Sequence, residues 1–198
     1  MGSGIDTIIE DALRQSLSLK EAFVRQNADT LIGLAERISK AFLGGGKLML
    51  CGNGGSAADA QHIAAEFVNR FQKEREPLPA LALTTDTSII TSIANDEGYE
   101  HVFSKQVTAL GEKGDILIAI STSGTSANII SAIQAARESG IYTVGLTGCG
   151  GGKMLGLVDL ALIAESTSTP RIQEVHIFAG HLVCELVEYT MIQGDRSP

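Results

Sequence analysis

The chain has 198 residues, 44% of them hydrophobic, and a formal net charge of −8. This size and apolar fraction predict one domain with a substantial core. The negative charge, and the lack of any long run of Lys or Arg, argue against direct nucleic acid binding. Three cysteines without CxxC spacing argue against a disulfide framework and against a thiolate zinc site. No stretch of the sequence approaches the roughly 20 unbroken apolar residues of a membrane span, so we expect a cytoplasmic protein without membrane contact.

The first 45 residues place apolar side chains at three- and four-residue steps, the period of amphipathic helices. We predict two helices here, one from roughly Ile5 to Phe23 and a second from Val24 to Phe42 that the Gly44–Gly46 run ends. The first helix precedes every strand that it could cover, so its apolar stripe is expected to pack against a second subunit. The stripe consists of Ile8, Ile9, Ala12, Leu13 and Leu17.

From Lys47 onward, short apolar runs alternate with helical patterns. Continuous apolar runs without strict alternation are typical of strands buried on both faces. The predicted strands are Lys47–Gly52, Ala80–Thr84, Asp115–Ile120, Tyr142–Leu146 and Asp159–Ala164. The predicted helices are Ser56–Phe71, Glu100–Leu110, Ser126–Ser139 and Pro170–Ile192. Five strands separated by helices predict a doubly wound parallel α/β sheet. We interpret residues 1–198 as a single domain, with packing and oligomerisation helices over residues 1–45 and an α/β core over residues 46–198.

Polar clusters follow the first three predicted strands. They are Asn53–Ser56, Thr84–Ser88 with Ala94–Asp96, and Ser121–Ser126. In a doubly wound sheet, ligands bind beyond the carboxyl ends of the strands. We therefore expect the three clusters to converge on one edge of the sheet.

The turn after the first strand leads into a helix that carries His62 and Glu66. Residues four apart lie on one helical face, so this imidazole and this carboxylate can reach one metal ion or one substrate. The Asn53–Ser56 turn allows a close backbone approach, and free N–H groups at a helix N-terminus suit anionic or hydroxyl-rich ligands. The same residues also fit an ordinary strand-to-helix connection followed by a solvated His/Glu pair.

The Ser121–Ser126 segment, STSGTS, is the clearest candidate ligand loop. Its hydroxyls, its glycine and the helix N-terminus behind it offer donors to a phosphate without any cationic side chain. It lacks the Gly-Lys-Ser/Thr of a Walker loop and is not GxGxxG, so nucleotide hydrolysis and dinucleotide binding are disfavoured and a monophosphate is expected. A Ser/Thr-rich helix cap without a ligand is the alternative.

The last helix holds two of the four histidines, His176 and His181. At about 100° per residue, Glu174 lies about 20° from His181 around the helix and Gln173 about 80°. Spacing alone therefore favours Glu174 as the partner of His181, without excluding Gln173. His176 lies well away from His181, so a packing or hydrogen-bonding role is expected for it.

Five motifs, in this order along the chain, resemble the sugar isomerase (SIS) domain family and, within it, the bacterial phosphoheptose isomerases. The motifs are CGNGGSAADAQH-AAE, AND at Ala94–Asp96, STSGTS, TG-GGGKM and RIQEVHIFAGH. The resemblance covers nearly the whole chain. It implies an SIS fold and a homotetramer in which the leading helices take part. It also implies isomerisation of sedoheptulose 7-phosphate to D-glycero-D-manno-heptose 7-phosphate, the first step of bacterial nucleotide-heptose (ADP-heptose) biosynthesis.

The resemblance also implies a set of functional residues. The metal is zinc, one ion per subunit, and the ligands that the resemblance implies are His62, Glu66, Gln173 and His181. The implied substrate contacts are Asn53, Gly54, Gly55, Ser56, Glu66, Asn95, Asp96, Ser121, Thr122, Ser123, Ser126 and Gln173. Glu66 and His181 look like the catalytic acid/base pair. Gln173 is chosen over Glu174 by the resemblance and not by spacing.

Aldose–ketose isomerisation moves one proton between C1 and C2 through an enediol, with proton exchange at the two oxygens. One carboxylate can carry the carbon-bound proton, a second acid/base can serve the oxygens, and a divalent cation can stabilise enediolate charge. A zinc-bound carboxylate or imidazole has its basic lone pair engaged, so either the second Glu66 oxygen reacts or ligation loosens during turnover.

Two other functions within the same family compete with the isomerase hypothesis. One is a non-catalytic SIS protein that binds the replication initiator, but such proteins generally lack residues equivalent to Glu66 and His181, which this chain has. The other is a sugar-phosphate-sensing regulator, which would normally carry an additional DNA-binding domain for which 198 residues leave no room.

Overall fold

A parallel sheet of five strands forms the centre of the computed structural model, which describes residues 4–194. In chain order the strands are β1 (Leu48–Gly52), β2 (Ala80–Ala82), β3 (Ile116–Ser121), β4 (Tyr142–Gly148) and β5 (Leu160–Ala164). They lie in the order β2-β1-β3-β4-β5. This is the doubly wound parallel sheet that the strand-and-helix pattern of the sequence predicts.

The two central strands are buried along their whole length. β1 and β3 pair in parallel from Leu48 opposite Ile116 to Gly52 opposite Ile120, and every residue of both strands is buried. Burial on both faces explains why these strands appear in the sequence as continuous apolar runs instead of alternating ones. Their carboxyl ends therefore lie next to each other at one edge of the sheet.

Helices cover both faces of the sheet and divide the core into two clusters. The helices are α1 (Gly4–Leu43), α2 (Gly55–Val68), α3 (Thr87–Asp96), α4 (Ser104–Leu110), α5 (Ala127–Glu138) and α6 (Thr169–Gly194). Leu48 and Leu50 face a cluster built with α1, α2 and α6, whereas Met49 and Cys51 face a cluster built mainly with α4 and α5. Of the described helices, α6 is the one whose length and apolar composition would allow it to cross a membrane. Its side chains Val175 and Val183 are buried in the first cluster, as in the core helix of a globular domain.

The prediction of two leading helices is wrong, because α1 is one helix of 40 residues. Between the two predicted helices, at Phe23 and Val24, the sequence has no glycine or proline that would end a helix, so the helical pattern continues. The buried side chains of α1 begin at Phe23. The first half of α1 is held to α6 by Arg171, whose Nη1 donates to the Ala12 carbonyl at 2.8 Å.

The segment after β2 also differs from the prediction. No helix was predicted around the second polar cluster, Thr84–Ser88 with Ala94–Asp96, but from Thr87 onward its residues belong to α3, whose N-cap Asp86 accepts a hydrogen bond from the Ile89 N–H at 2.9 Å. The single helix predicted over Glu100–Leu110 is a 3₁₀ turn, Tyr99–His101, followed by the short α4.

Candidate active site

The polar turns after β1 and β3 meet at the point where the strand order changes direction. The chain leaves β1 toward β2 on one side and returns to β3 on the other, so the connections that follow β1 and β3 diverge. In doubly wound sheets this divergence opens a crevice beyond the carboxyl ends of the strands, where ligands bind. The Asn53–Ser56 turn and the Ser121–Ser126 loop border this crevice.

The serine loop, residues Ser121–Ser126, is held by its own hydroxyl groups. Ser121 Oγ lies 3.2 Å from Ser126 Oγ, and Ser123 Oγ lies 3.0 Å from Thr125 Oγ1. Ser126 occupies the N-cap position of α5, yet its hydroxyl does not cap the helix. The first N–H groups of α5 are therefore free of a side-chain cap, which suits a helix N-terminus that receives an anion.

The glycine run after β4, Gly150–Gly152, packs closely against the backbone of this loop. Gly124 has a φ of 64°, and a Cβ there would lie 2.0 Å from the Gly151 carbonyl oxygen. A Cβ on Gly152 would likewise lie 2.4 Å from the Ser123 carbonyl oxygen. Only glycine at both positions allows the two backbones to approach this closely. The GGG run therefore fixes the shape of the serine loop.

Asn53 is held in one orientation by two partners. Its amide forms a reciprocal pair with the buried Asn128 of α5, with N···O distances of 2.9 and 2.8 Å. The Tyr99 hydroxyl also donates to Asn53 Oδ1, at 3.2 Å. The pair joins the turn after β1 to the first turn of the helix behind the serine loop. Asn95 and Asp96 bond to each other at 2.7 Å at the exposed end of α3, just before the turn that carries Tyr99.

Three titratable side chains meet where α2 packs against α6. His62 Nε2 lies 2.8 Å from His181 Nε2 and 3.4 Å from Glu66 Oε1. One ligand atom from each of the three residues lies within 4.8 Å of the others. Burial lowers the pKa of His181, the neighbouring His62 lowers it further, and Glu66 partly offsets both. The sequence spacing predicts the pair on α2, and the fold adds His181 from 119 residues away.

This cluster fits a divalent metal ion by its donor set. Two imidazole nitrogens and one carboxylate oxygen are the ligands that catalytic zinc sites commonly use, and such sites leave a further position for water or substrate. The short distance between the two Nε2 atoms requires that at least one of the two nitrogens carry no proton, and that nitrogen then has a lone pair for a metal ion.

Gln173, the remaining predicted metal ligand, contacts the turn after β1 in the same chain. It precedes His181 by eight residues, about 12 Å along α6. Its Nε2 would lie 2.5 Å from a Cβ built on Gly55, so its amide lies against the turn after β1. Glu174, which spacing alone favoured, forms an ion pair with Arg171 at 3.0 Å.

Comparison with known proteins shows the family of this chain. A family profile described as "SIS domain" matches residues 13–148. A curated phosphoheptose isomerase from Roseiflexus sp. (strain RS-1) is 56% identical over 92% of this chain and 93% of that protein. The chain belongs to the phosphoheptose isomerase family of SIS domain proteins.

Solved structures of the phosphoheptose isomerase family share the whole fold. The enzyme from Neisseria gonorrhoeae is 41% identical, with a TM-score of 0.89 over 93% of this chain and 99% of that one. The enzyme from Francisella tularensis is 35% identical, with a TM-score of 0.90 over 94% of this chain and 99% of that one. These values confirm the SIS fold that the motifs predict.

Three residues that contact the predicted site of this phosphoheptose isomerase family member could not be identified from the sequence. Asn128 and Tyr99 hold Asn53, and the Phe71 ring stacks on His181 with centroids 5.4 Å apart and an interplanar angle of 28°. Nothing in their local sequence marks these residues, because each acts on a partner distant in the chain. His176 is buried, and its Nε2–H donates to the Thr147 carbonyl at 3.1 Å.

Proposed function

We propose that the protein is an aldose–ketose isomerase that converts sedoheptulose 7-phosphate to D-glycero-D-manno-heptose 7-phosphate. The observation that carries this proposal is the cluster of His62, Glu66 and His181, in a chain 56% identical to a phosphoheptose isomerase. Isomerisation needs one group to move a carbon-bound proton and another to exchange oxygen-bound protons. A carboxylate beside an imidazole provides both.

The phosphate of the substrate would bind at the serine loop. The loop offers neutral hydroxyl groups, and the start of α5 offers backbone N–H groups. Such donors can bind a phosphate dianion without a cationic side chain. The proposed substrate contacts are the turn after β1, the end of α3, the serine loop, one side chain of the cluster and one from the start of α6. They comprise Asn53, Gly54, Gly55, Ser56, Asn95, Asp96, Ser121, Thr122, Ser123, Ser126, Glu66 and Gln173.

Glu66 and His181 are the proposed catalytic pair. Glu66 would take the proton from one carbon of the C1–C2 unit and return it to the other, while His181 would donate to and accept from the oxygens on these carbons. The lowered pKa of His181 favours a neutral imidazole, which can act as donor and acceptor in turn if its ligation to the metal loosens during turnover.

A zinc ion, one per subunit, is the proposed cofactor, and it would supply positive charge beside the developing enediolate. The ligands within one chain would be His62, Glu66 and His181. Gln173 completes the proposed set of four ligands only if a second subunit supplies it, since in the same chain its amide lies against Gly55. Within one chain, Gln173 is better placed to contact the sugar.

We also propose that the protein is a cytoplasmic homotetramer. Support for assembly comes from the first half of α1, which leaves large apolar side chains exposed beyond the part of the helix that packs on the core. Exposed apolar stripes of this kind are typical of subunit interfaces.

An assay on sedoheptulose 7-phosphate tests the proposal. The purified protein would be assayed with a coupled readout of the aldose product, first as isolated, then after chelation, and again after zinc is restored. We expect turnover that chelation abolishes and zinc recovers. A zinc-loaded protein that binds the sugar phosphate without converting it would overturn the isomerase proposal in favour of a non-catalytic SIS protein.

A further inference from the structure

A buried ion pair lies between the two helices that supply the titratable cluster. Glu188, on α6, has a side chain that is 2% exposed, and Arg75, in the loop after α2, has one that is 7% exposed. Arg75 Nε donates to Glu188 Oε1 at 3.1 Å. Burying two charges is costly unless each has further partners, so a buried pair calls for an account of what else it binds.

Glu188 fixes the backbone of the loop that follows α2. Its carboxylate accepts hydrogen bonds from three consecutive N–H groups, those of Phe71 at 2.8 Å, Gln72 at 2.9 Å and Lys73 at 2.9 Å. Burial alone would raise the pKa of Glu188, but these N–H groups and Arg75 outweigh it and hold the pKa below its usual value. Glu188 is therefore an anion that anchors this loop to α6.

Arg75 fixes the end of α2. Its Nη2 donates to the Glu66 carbonyl at 2.8 Å and its Nη1 to the Phe67 carbonyl at 2.8 Å. These carbonyls belong to the last turn of the helix, where no intrahelical partner is available and a cation is favourable. One guanidinium thus connects the backbone of Glu66 to Glu188 on the neighbouring helix.

The same network reaches the other side of the cluster through Phe71. Glu188 holds the Phe71 backbone, and the Phe71 ring stacks on His181. Glu188 also follows His181 on α6 by seven residues, about two turns. Arg75 and Glu188 therefore connect the helix that carries His62 and Glu66 with the helix and the ring that orient His181.

We propose that Arg75 and Glu188 are positioning residues, which set the separation of Glu66 from His181 and thereby metal binding and turnover. Neither side chain touches the reacting groups. The role in turnover rests on the proposed isomerase function, whereas the role in metal binding rests only on the cluster. A purely structural role, as a cap for α2 and an anchor for its loop, is the alternative to be tested.

Two conservative variants separate the positioning role from a structural one. Arg75→Lys keeps the cation beside Glu188 but loses the planar group that reaches both helix carbonyls. Glu188→Gln keeps the side-chain shape but places an amide NH₂ among N–H donors. Glu185→Gln, one turn earlier on α6 and exposed, is the matched control for Glu188, and the exposed Arg37→Lys is the control for Arg75.

Zinc affinity, measured with zinc alone against a chromophoric chelator, is the first readout. We expect Arg75→Lys and Glu188→Gln each to weaken zinc binding about tenfold or more, and to lower kcat by a similar factor at unchanged KM. Both controls should match the wild type. Unchanged zinc affinity and kcat in folded variants, with only the midpoint of thermal unfolding lowered, would show that the network is structural and would overturn the proposal.

Hydrogen exchange on the wild-type protein provides a test that needs no variant. Coupling between two sites is reciprocal, so zinc bound at the cluster should slow exchange at the Gln72 and Lys73 amides held by Glu188. Identical exchange with and without zinc would overturn the proposal even if both variants failed to fold. If the wild type binds zinc but does not isomerise the sugar, the proposed function fails while the zinc measurements still test the positioning role.

Discussion

Glu66 and His181 are separated by 115 positions in the sequence, yet both lie around His62. If they are the acid/base pair, Glu66→Gln and His181→Gln should each lower kcat about 10²- to 10⁴-fold, the usual scale for losing such a group. Sugar-phosphate binding should survive, because the serine loop lies on other elements. Steady-state kinetics and calorimetric binding measure the two effects separately. Full activity in both variants would refute the mechanism.

His176 provides the internal comparison for His181, because it lies on the same helix but is buried against Thr147. We expect His176→Gln to lower stability and leave the chemistry largely intact. Loss of turnover in His176→Gln, combined with turnover retained in His181→Gln, would show that the catalytic histidine has been assigned to the wrong position.

The pH dependence of stability should report His176 directly. Burial lowers its pKa from 6.5 to about 4, and the hydrogen bond to Thr147 only partly offsets this effect. Between these values the unfolded chain binds a proton that the folded chain does not, so the free energy of unfolding falls as pH drops through this window. Across the whole window the free energy of unfolding falls by about 3 kcal/mol.

Urea unfolding of the wild type and of His176→Gln, followed from pH 7 to pH 4, measures this contribution. The variant should be less stable at neutral pH and should show a flatter decline. His101→Gln is the control, since that side chain is 44% exposed. Parallel curves for the wild type and His176→Gln would contradict the prediction.

Residues that depend on local spacing could be predicted from the sequence, and residues that depend on the fold could not. His62 and Glu66 are neighbours on one helix, so a periodic pattern is enough to pair them. Asn128 binds Asn53 across 75 positions, and only the strand order brings the two together. Angular spacing favoured Glu174 over Gln173, because spacing along one helix says nothing about the neighbouring turn at Gly55.

At the scale of elements, the serine loop combines a strand end, four linked hydroxyl groups and the start of α5. Replacing Ser121, Ser123 or Ser126 by Ala should mainly raise KM. Each lost hydrogen bond to a charged phosphate costs about 1.5–3 kcal/mol, or roughly tenfold to a hundredfold in binding. Ser139→Ala, at the opposite end of α5, is the control. Unchanged KM in all three loop variants would exclude this loop as the phosphate site.

The strands could be predicted more closely than the helix boundaries. Buried strands such as β3 are short apolar runs bounded by polar residues, so composition marks both ends. α3 was missed because Thr, Ser and Asn are poor helix formers, and the helix depends on the Asp86 cap. α1 was divided near Phe23, although the sequence has no glycine or proline there and the helix continues to Leu43.

At the scale of the whole molecule, the two halves of α1 have different surroundings. From Phe23 onward the helix buries side chains against the sheet and α6, whereas its first half adds an apolar stripe that no described element covers. Ala12 of the stripe is half-buried. The other four stripe residues and the neighbouring Ile5 are 59–69% exposed; they are Ile5, Ile8, Ile9, Leu13 and Leu17. We propose that a second copy of the chain buries them, because identical stripes can pair around a symmetry axis.

The assembly prediction can be tested by placing charge on that stripe. Leu13→Glu with Leu17→Glu would put two carboxylates into the expected interface, so light scattering at micromolar concentration should report a smaller species than the tetramer that we propose for the wild type. Thr7→Glu with Ser18→Glu adds the same charge on the opposite side of α1, where both residues are exposed, and should leave the mass unchanged. Far-ultraviolet circular dichroism would show that the helix persists in both double variants. A wild-type protein that is monomeric at this concentration, with full isomerase activity, would refute the assembly and show that one chain carries a complete site.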